Sequence, residues 1–231
     1  MKYIFLSILF ILLSRFSNGQ NTGFLDFNGY YDTRNESVMT LNILANMENR
    51  FQYFSLTNFQ GHEPSSELED LYSEQNIRWR VRDTSSFDLT LQYVLRGGAK
   101  NDDWRLGFRW TVTSFKPVQA FFKKINFRYS VNPMMIQFRE STDPKFLTLI
   151  EHVYRLNIAP KKLNNRLYIG GFWDEAFGNV DGKLIFNHVS EHQLGIRVYK
   201  ELYAVTEFRI NTFLPYNNIG LGYGLEYKIK F

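Results

Sequence analysis

Arginine recurs at alternate positions in several stretches of this 231-residue chain: Arg78, Arg80 and Arg82 in one, Arg105 and Arg109 in another, with Arg128, Arg155, Arg197 and Arg209 further along. A spacing of two puts such residues on one face of an extended strand. The guanidinium group keeps its charge and presents a planar fork of donors, so a wall lined with it would hold carboxylates or phosphates through paired hydrogen bonds. A second fragment, Asn187-His188-Val189-Ser190, sets His188 and Ser190 on one strand face, where an imidazole could act as base toward a hydroxyl. Its next residue is Glu191 and no orienting third member can be named, so a plain hydrogen-bonding pair is the competing reading.

Other chemistry is scarce. The chain has no cysteine, which removes disulfides, thiolate metal sites, a cysteine nucleophile and a lipidated cysteine. The four histidines, His62, His152, His188 and His192, show no metal spacing, and Gly97-Gly98 and Gly170-Gly171 do not make a phosphate loop. No cofactor, metal or nucleic-acid partner is expected.

Both constellations need strands, and the last thirteen residues supply the pattern. Ile219, Leu221, Tyr223, Leu225, Tyr227, Ile229 and Phe231 share one parity, while Gly220, Gly222, Gly224, Glu226, Lys228 and Lys230 share the other. One face of such a strand suits lipid and the other water. The same alternation runs through Trp104 to Thr113 and Phe87 to Arg96. Twelve strands are expected near 23–33, 36–46, 50–60, 75–83, 86–96, 103–113, 124–139, 147–158, 165–174, 187–199, 202–213 and 217–231. Residues 51–60 are ambiguous in both parities. Near Pro133 the apolar parity shifts to Met134, Ile136 and Phe138, which predicts a bulge.

The N-terminus reads as a secretory signal peptide over residues 1–19: Lys2, an apolar run from Tyr3 to Leu13, then Ser17-Asn18-Gly19. No other segment has the length of apolar residues a spanning helix needs, so a membrane form would be an antiparallel up-and-down β-barrel over 20–231. Aromatics at 17% of the chain suit the girdles of such a barrel. With both termini periplasmic, short turns fall at Asn46–Asn49, Asp83–Ser86, Ser114–Lys123, Ala159–Asn164 and Lys200–Glu201. Longer external loops fall at Gly61–Glu74, Gly97–Asp102, Glu140–Phe146, Glu175–Phe186 and Leu214–Tyr216, with helical turns expected over Ser65 to Leu71. A soluble sandwich with its faces reversed is the alternative architecture.

Strand parity then lines the lumen with arginine and gives it an excess of about six positive charges over acids such as Asp88, Glu151, Asp174 and Glu191. Anion preference is the expected consequence, set by Arg78, Arg80, Arg105, Arg109, Arg128, Arg155, Arg197 and Arg209. The competing reading pairs arginine with carboxylate across the wall and fills the interior.

The mature chain as a whole resembles Gram-negative outer-membrane β-barrels, and its terminal strand, with Tyr227 and Phe231, looks like their assembly signal. The resemblance implies the cell outer membrane, contact with outer-membrane lipids and recognition by the barrel-assembly machinery. Size, strand number and arginine content are similar to the monomeric oligogalacturonate-specific porins, with nucleoside-specific channels as another twelve-stranded group. A monomeric channel for small anionic solutes, such as acidic oligosaccharides or nucleosides, is the preferred expectation. The His-x-Ser pair resembles that of outer-membrane phospholipases and lipid A deacylases, which makes a lipid hydrolase the alternative. A closed structural or adhesive barrel is the third reading.

Overall fold

A computed structural model describes residues 22–62, 70–97, 102–139, 147–180, 182–214, 216 and 218–231. The expected signal peptide lies outside them. Twelve strands follow one another: β1 (Thr22–Asp32), β2 (Glu36–Asn46), β3 (Phe51–His62), β4 (Asp70–Arg80), β5 (Phe87–Arg96), β6 (Asp103–Trp110), β7 (Phe127–Arg139), β8 (Leu147–Asn157), β9 (Leu167–Val180), β10 (Lys183–Tyr199), β11 (Leu202–Asn211) and β12 (Ile219–Lys230). Among the described residues one α-helix, α1 (Lys116–Ile125), interrupts them between β6 and β7. Each strand pairs antiparallel with its sequence neighbours, and β1 pairs with β12 from Phe24↔Lys230 to Asp32↔Gly222, so the sheet closes on itself. At the seam the Gly23 N–H donates to the Phe231 carbonyl at 2.8 Å and the Phe231 N–H returns to Gly23 at 3.2 Å.

The alternation explains which side faces out. Leu89, Leu91, Trp104, Leu106, Phe108, Ile136, Phe138, Tyr223, Leu225 and Tyr227 are exposed, whereas Asp26, Asn28, Glu74, Asn76, Asp88, Gln92, Arg105, Glu207 and Glu226 are buried inside. That is the inverse of a water-soluble barrel and matches a wall with lipid outside. Aromatics band the outer face toward both rims. Phe87 and Trp110 stack at 6.0 Å between centroids on the rim that carries the termini, and Tyr93 and Trp104 lie 4.6 Å apart toward the far rim.

The ambiguous strand β3 has a physical reason for its ambiguity. Register puts Gln52, Phe54, Leu56, Asn58 and Gln60 inside, against Arg78, Asn76, Glu74, Tyr72 and Asp70 of β4. Its outer face carries Ser55 and Thr57, which meet Gln75 and Ser73 of β4 and satisfy one another: Thr57 and Ser73 hydroxyls share a hydrogen bond of 2.8 Å, and Gln75 Nε2 donates to Ser73 Oγ at 2.7 Å.

Four expectations need correction. Strand β4 begins at Asp70 instead of 75, so Asp70 and Leu71 are strand, and the remainder of the expected helical turns, 65–69, lies outside the described residues. The loop over Glu175–Phe186 is almost wholly hairpin, because β9 continues to Val180 and β10 starts at Lys183. Most of the turn over Ser114–Lys123 is helix, with Pro117 in its first turn and Asn126 in the left-handed conformation ending it. The bulge is present, at the register shift between Leu106 and Gly107, but Met134 faces inward at 0% exposure, opposite Gly107, while Met135 and Ile136 both face out.

The interior is not uniformly polar. Tyr30, Val38, Tyr168, Tyr203 and Val205 form one buried cluster and Met134, Leu149 and Ala176 another, all on inward positions. Gly195 makes room for the first. A Cβ there would lie 2.2 Å from Cε1 of Tyr168, so the ring occupies the space a side chain would take. Gly195→Leu is expected to displace Tyr168 and destabilise the barrel by about 1–3 kcal/mol through overpacking, read as a lower midpoint in urea unfolding from vesicles; an unchanged midpoint would contradict this packing.

Candidate functional site

The inner wall holds a cavity of about 510 Å³ at the rim of the termini, lined in part by Arg50, Gln52, Arg78, Arg80, Asp83, Asp88 and Arg109. Adjacent strands assemble it: the register sets Arg80 opposite Asp88 and Asp88 opposite Arg109. Asp88 accepts from Arg80 Nε at 3.1 Å and from Arg109 Nε at 2.7 Å, so one carboxylate is shared by two guanidinium groups. Arg109 Nη1 also donates to Gln52 Oε1 at 2.6 Å, reaching from β6 to β3, which are not neighbours in the sheet. Arg78 sits over the ring of Phe54 at 5.1 Å, donates to Gln52 at 3.4 Å and leaves its buried Nε without a partner. Four arginines thus meet two aspartates here, which leaves a local surplus of positive charge.

Deeper in, polar side chains link to one another along the inner wall. Arg105 donates to Gln92 Oε1 at 3.0 Å and to Asp103 at 3.3 Å, and Gln92 donates to Glu74 at 3.0 Å. Glu74 of β4 lies close enough to Glu151, Asp174 and Glu191 on β8, β9 and β10 for their charges to interact across the interior. On the other side the Tyr168 hydroxyl, with one proton to give, donates to Glu226 of β12 and lies against Gln193, and Arg155 stacks over its ring at 3.6 Å. Arg209 is bound by Glu207 and lies 3.8 Å from Glu191.

Solved structures share this architecture. A structure titled KdgM porin matches with a TM-score of 0.53 and 13% identity, over 88% of this chain and 98% of that one. The KdgM porin in complex with disordered oligogalacturonate gives 0.51 and 12% over the same shares. A rhombohedral crystal form of the NanC porin gives 0.56 and 10%, over 90% of this chain and 100% of that one. The fold is that of a small outer-membrane porin. No protein-family model and no curated relative matches the chain.

Within this porin fold the eight arginines singled out from the sequence do not form one ring. Arg78, Arg80 and Arg109 come together in the cavity, and Arg105 is held among Gln92 and Asp103. Arg128 and Arg155 are register partners on β7 and β8, and Arg209 belongs to the opposite wall. Arg197 binds the carbonyl of Asn164 near the rim. The expected charge surplus also shrinks. Arg82 and Arg166 lie in turns, and the register adds Glu36, Asp70, Glu74 and Asp103 to the inner face. Signs along the whole wall come close to balance, and positive surplus survives locally, in the cavity. The alternation Asp70, Tyr72, Glu74, Asn76, Arg78, Arg80 was the signal for the missed acids.

His188 and Ser190 do lie on the lipid-facing side, opposite Glu175 and Trp173 of β9. Ser190 Oγ is buried with no hydrogen-bond partner, so no base is engaged with it. Two other histidines on that face are bound by tyrosines: His152 Nδ1 to Tyr129 at 2.7 Å and His192 Nδ1 to Tyr154 at 2.8 Å. Tyr227 and Phe231 face out on the closing strand. Removing an unpartnered buried hydroxyl leaves nothing unsatisfied, so Ser190→Ala is expected to keep the unfolding midpoint or raise it by up to about 1 kcal/mol; a loss of more than that in a urea titration would reveal a bond to Ser190.

Proposed function

We propose that the protein is a monomeric outer-membrane channel, with its termini in the periplasm, that passes small anionic solutes, acidic oligosaccharides above all. The observation that carries this reading is the cavity in which Arg80 and Arg109 share Asp88 while Arg78, held by Gln52, leaves its Nε unpartnered. Fixed donors on a low-dielectric wall raise the local concentration of anions and lower their entry barrier. A carboxylate entering there replaces water on the guanidinium edges with paired charge-assisted bonds. The complex of a structural neighbour with oligogalacturonate supports an acidic sugar as the solute class. Tyr227 and Phe231 would present the closing strand to the barrel-assembly machinery.

A closed barrel is the second reading, favoured by the side chains that cross the lumen: Arg109 to Gln52, Tyr168 to Glu226, and Gln193 Nε2 to Asn28 Oδ1 at 3.4 Å. Conductance separates the two. In planar bilayers under a salt gradient, Arg78→Gln with Arg109→Gln is expected to lower the anion-to-cation permeability ratio severalfold, and Asp88→Asn to raise it. Reversal potentials unchanged in both variants would exclude the cavity as the selectivity site.

A further inference from the structure

Helix α1 has a sidedness that the channel reading does not use. Val118, Phe121, Phe122 and Ile125 recur at the spacing of one helical face, and Lys116, Gln119 and Lys123 occupy the other, with Lys124 beside them. None of its residues is buried; Phe121 is 61% exposed and Ile125 40%, so protein does not cover the apolar face. The face continues into the outer aromatic band. Phe122 lies 5.7 Å from Phe127 of β7, Phe127 lies 6.2 Å from Tyr154 of β8, and Phe115, just before the helix, meets Trp110 of β6 at 6.3 Å. The helix therefore stands at the lipid-facing rim, at the depth where the girdle ends.

We infer that α1 is an interfacial anchor that binds anionic phospholipid of the periplasmic leaflet, its phenylalanines among acyl chains and Lys116, Lys123 and Lys124 on headgroup phosphates. This rests on the membrane-spanning, termini-in-periplasm part of the proposed function and not on conductance. A bilayer is the occupant the geometry fits, because the apolar face is continuous with a surface already facing lipid, while the basic face turns toward the layer that carries negative charge. Lysine suits a headgroup layer of loosely placed phosphates, as a mobile point charge on an apolar stem that can lie along the boundary. The two lysines in the last turn also complement the helix dipole, so the helix loses nothing by carrying them there.

The absence of native cysteine makes the test direct. Nitroxide is attached to Phe121→Cys, Ile125→Cys, Lys123→Cys and, as a control on the outer wall, Leu106→Cys. The full barrel is placed in phosphatidylcholine vesicles with and without phosphatidylglycerol. Labels at 121, 125 and 106 are expected to collide with oxygen in preference to a water-soluble nickel chelate, and the label at 123 with the chelate. Spin-labelled phosphatidylglycerol is expected to be retained at the barrel over phosphatidylcholine, and Lys116→Gln, Lys123→Gln and Lys124→Gln together to cut that excess at least about twofold at low salt. Chelate access at 121 and 125 with oxygen preference kept at 106 would overturn the anchor and spare the barrel. Chelate access at 106 as well would overturn the spanning barrel itself. Equal retention of both lipids by the unaltered chain, or an excess untouched by the triple change, would overturn recognition of anionic lipid.

Discussion

In the hydrocarbon core of a bilayer no water is present to accept from a peptide N–H or donate to a carbonyl, and every unpaired group there costs several kcal/mol. A chain that crosses with strands must therefore close its sheet. Here the closure is the pairing of β1 with β12, extended past the last strand residue by the two hydrogen bonds between Gly23 and Phe231. Once the ends are joined, each side chain has only two destinations, and the period of two assigns them. Everything else about this molecule, including the sharing of Asp88 by Arg80 and Arg109, follows from closing the cylinder in that register.

A closed cylinder of this size leaves an interior that side chains can partly fill. The chain uses it unevenly. Around β1, β2, β9 and β11, tyrosines with Val38 and Val205 pack into the interior, helped by glycine at position 195. Around β3 to β6, charged and amide side chains pair in plane and leave a cavity beside them. Mutual pairing keeps the guanidinium groups in place, because an arginine held by Asp88 or Gln52 has less rotamer freedom. The balance of signs over the whole wall and the surplus in one cavity are compatible: selectivity depends on local field, and net charge summed over the lumen is a poor guide to it.

Strand identity was legible wherever one face was uniformly apolar, as from Phe87 to Arg96 and from Ile219 to Phe231. It was less legible where chemistry blurred the faces. Asp70 and Glu74 read as loop residues because helical turns were expected over Ser65 to Leu71 and the strand only from 75, although they continue the parity of Arg78 and Arg80. Helix α1 was hidden by its proline and lysines: Pro117 looks like a turn residue, and only the switch of apolar spacing at 118, 121, 122 and 125 betrays a helix. The pairing of β9 with β10 as far as Val180 and Lys183 was masked by the glycines and polar residues of β9. The candidate site divided in the same way. Parity found Arg78, Arg80 and Arg109 as inward residues, but the sharing of Asp88 needs the register of three strands, and the reach of Arg109 to Gln52 and of Tyr168 to Glu226 depends on barrel curvature, which no single strand encodes.

The central claim is that this closed cylinder holds a water path biased toward anions. Single-channel recording of the refolded protein in a planar bilayer under a salt gradient tests it most directly. Discrete openings with a reversal potential of anion sign are the expected result. A correctly folded barrel that stays silent, or openings with a reversal potential of cation sign, would contradict it.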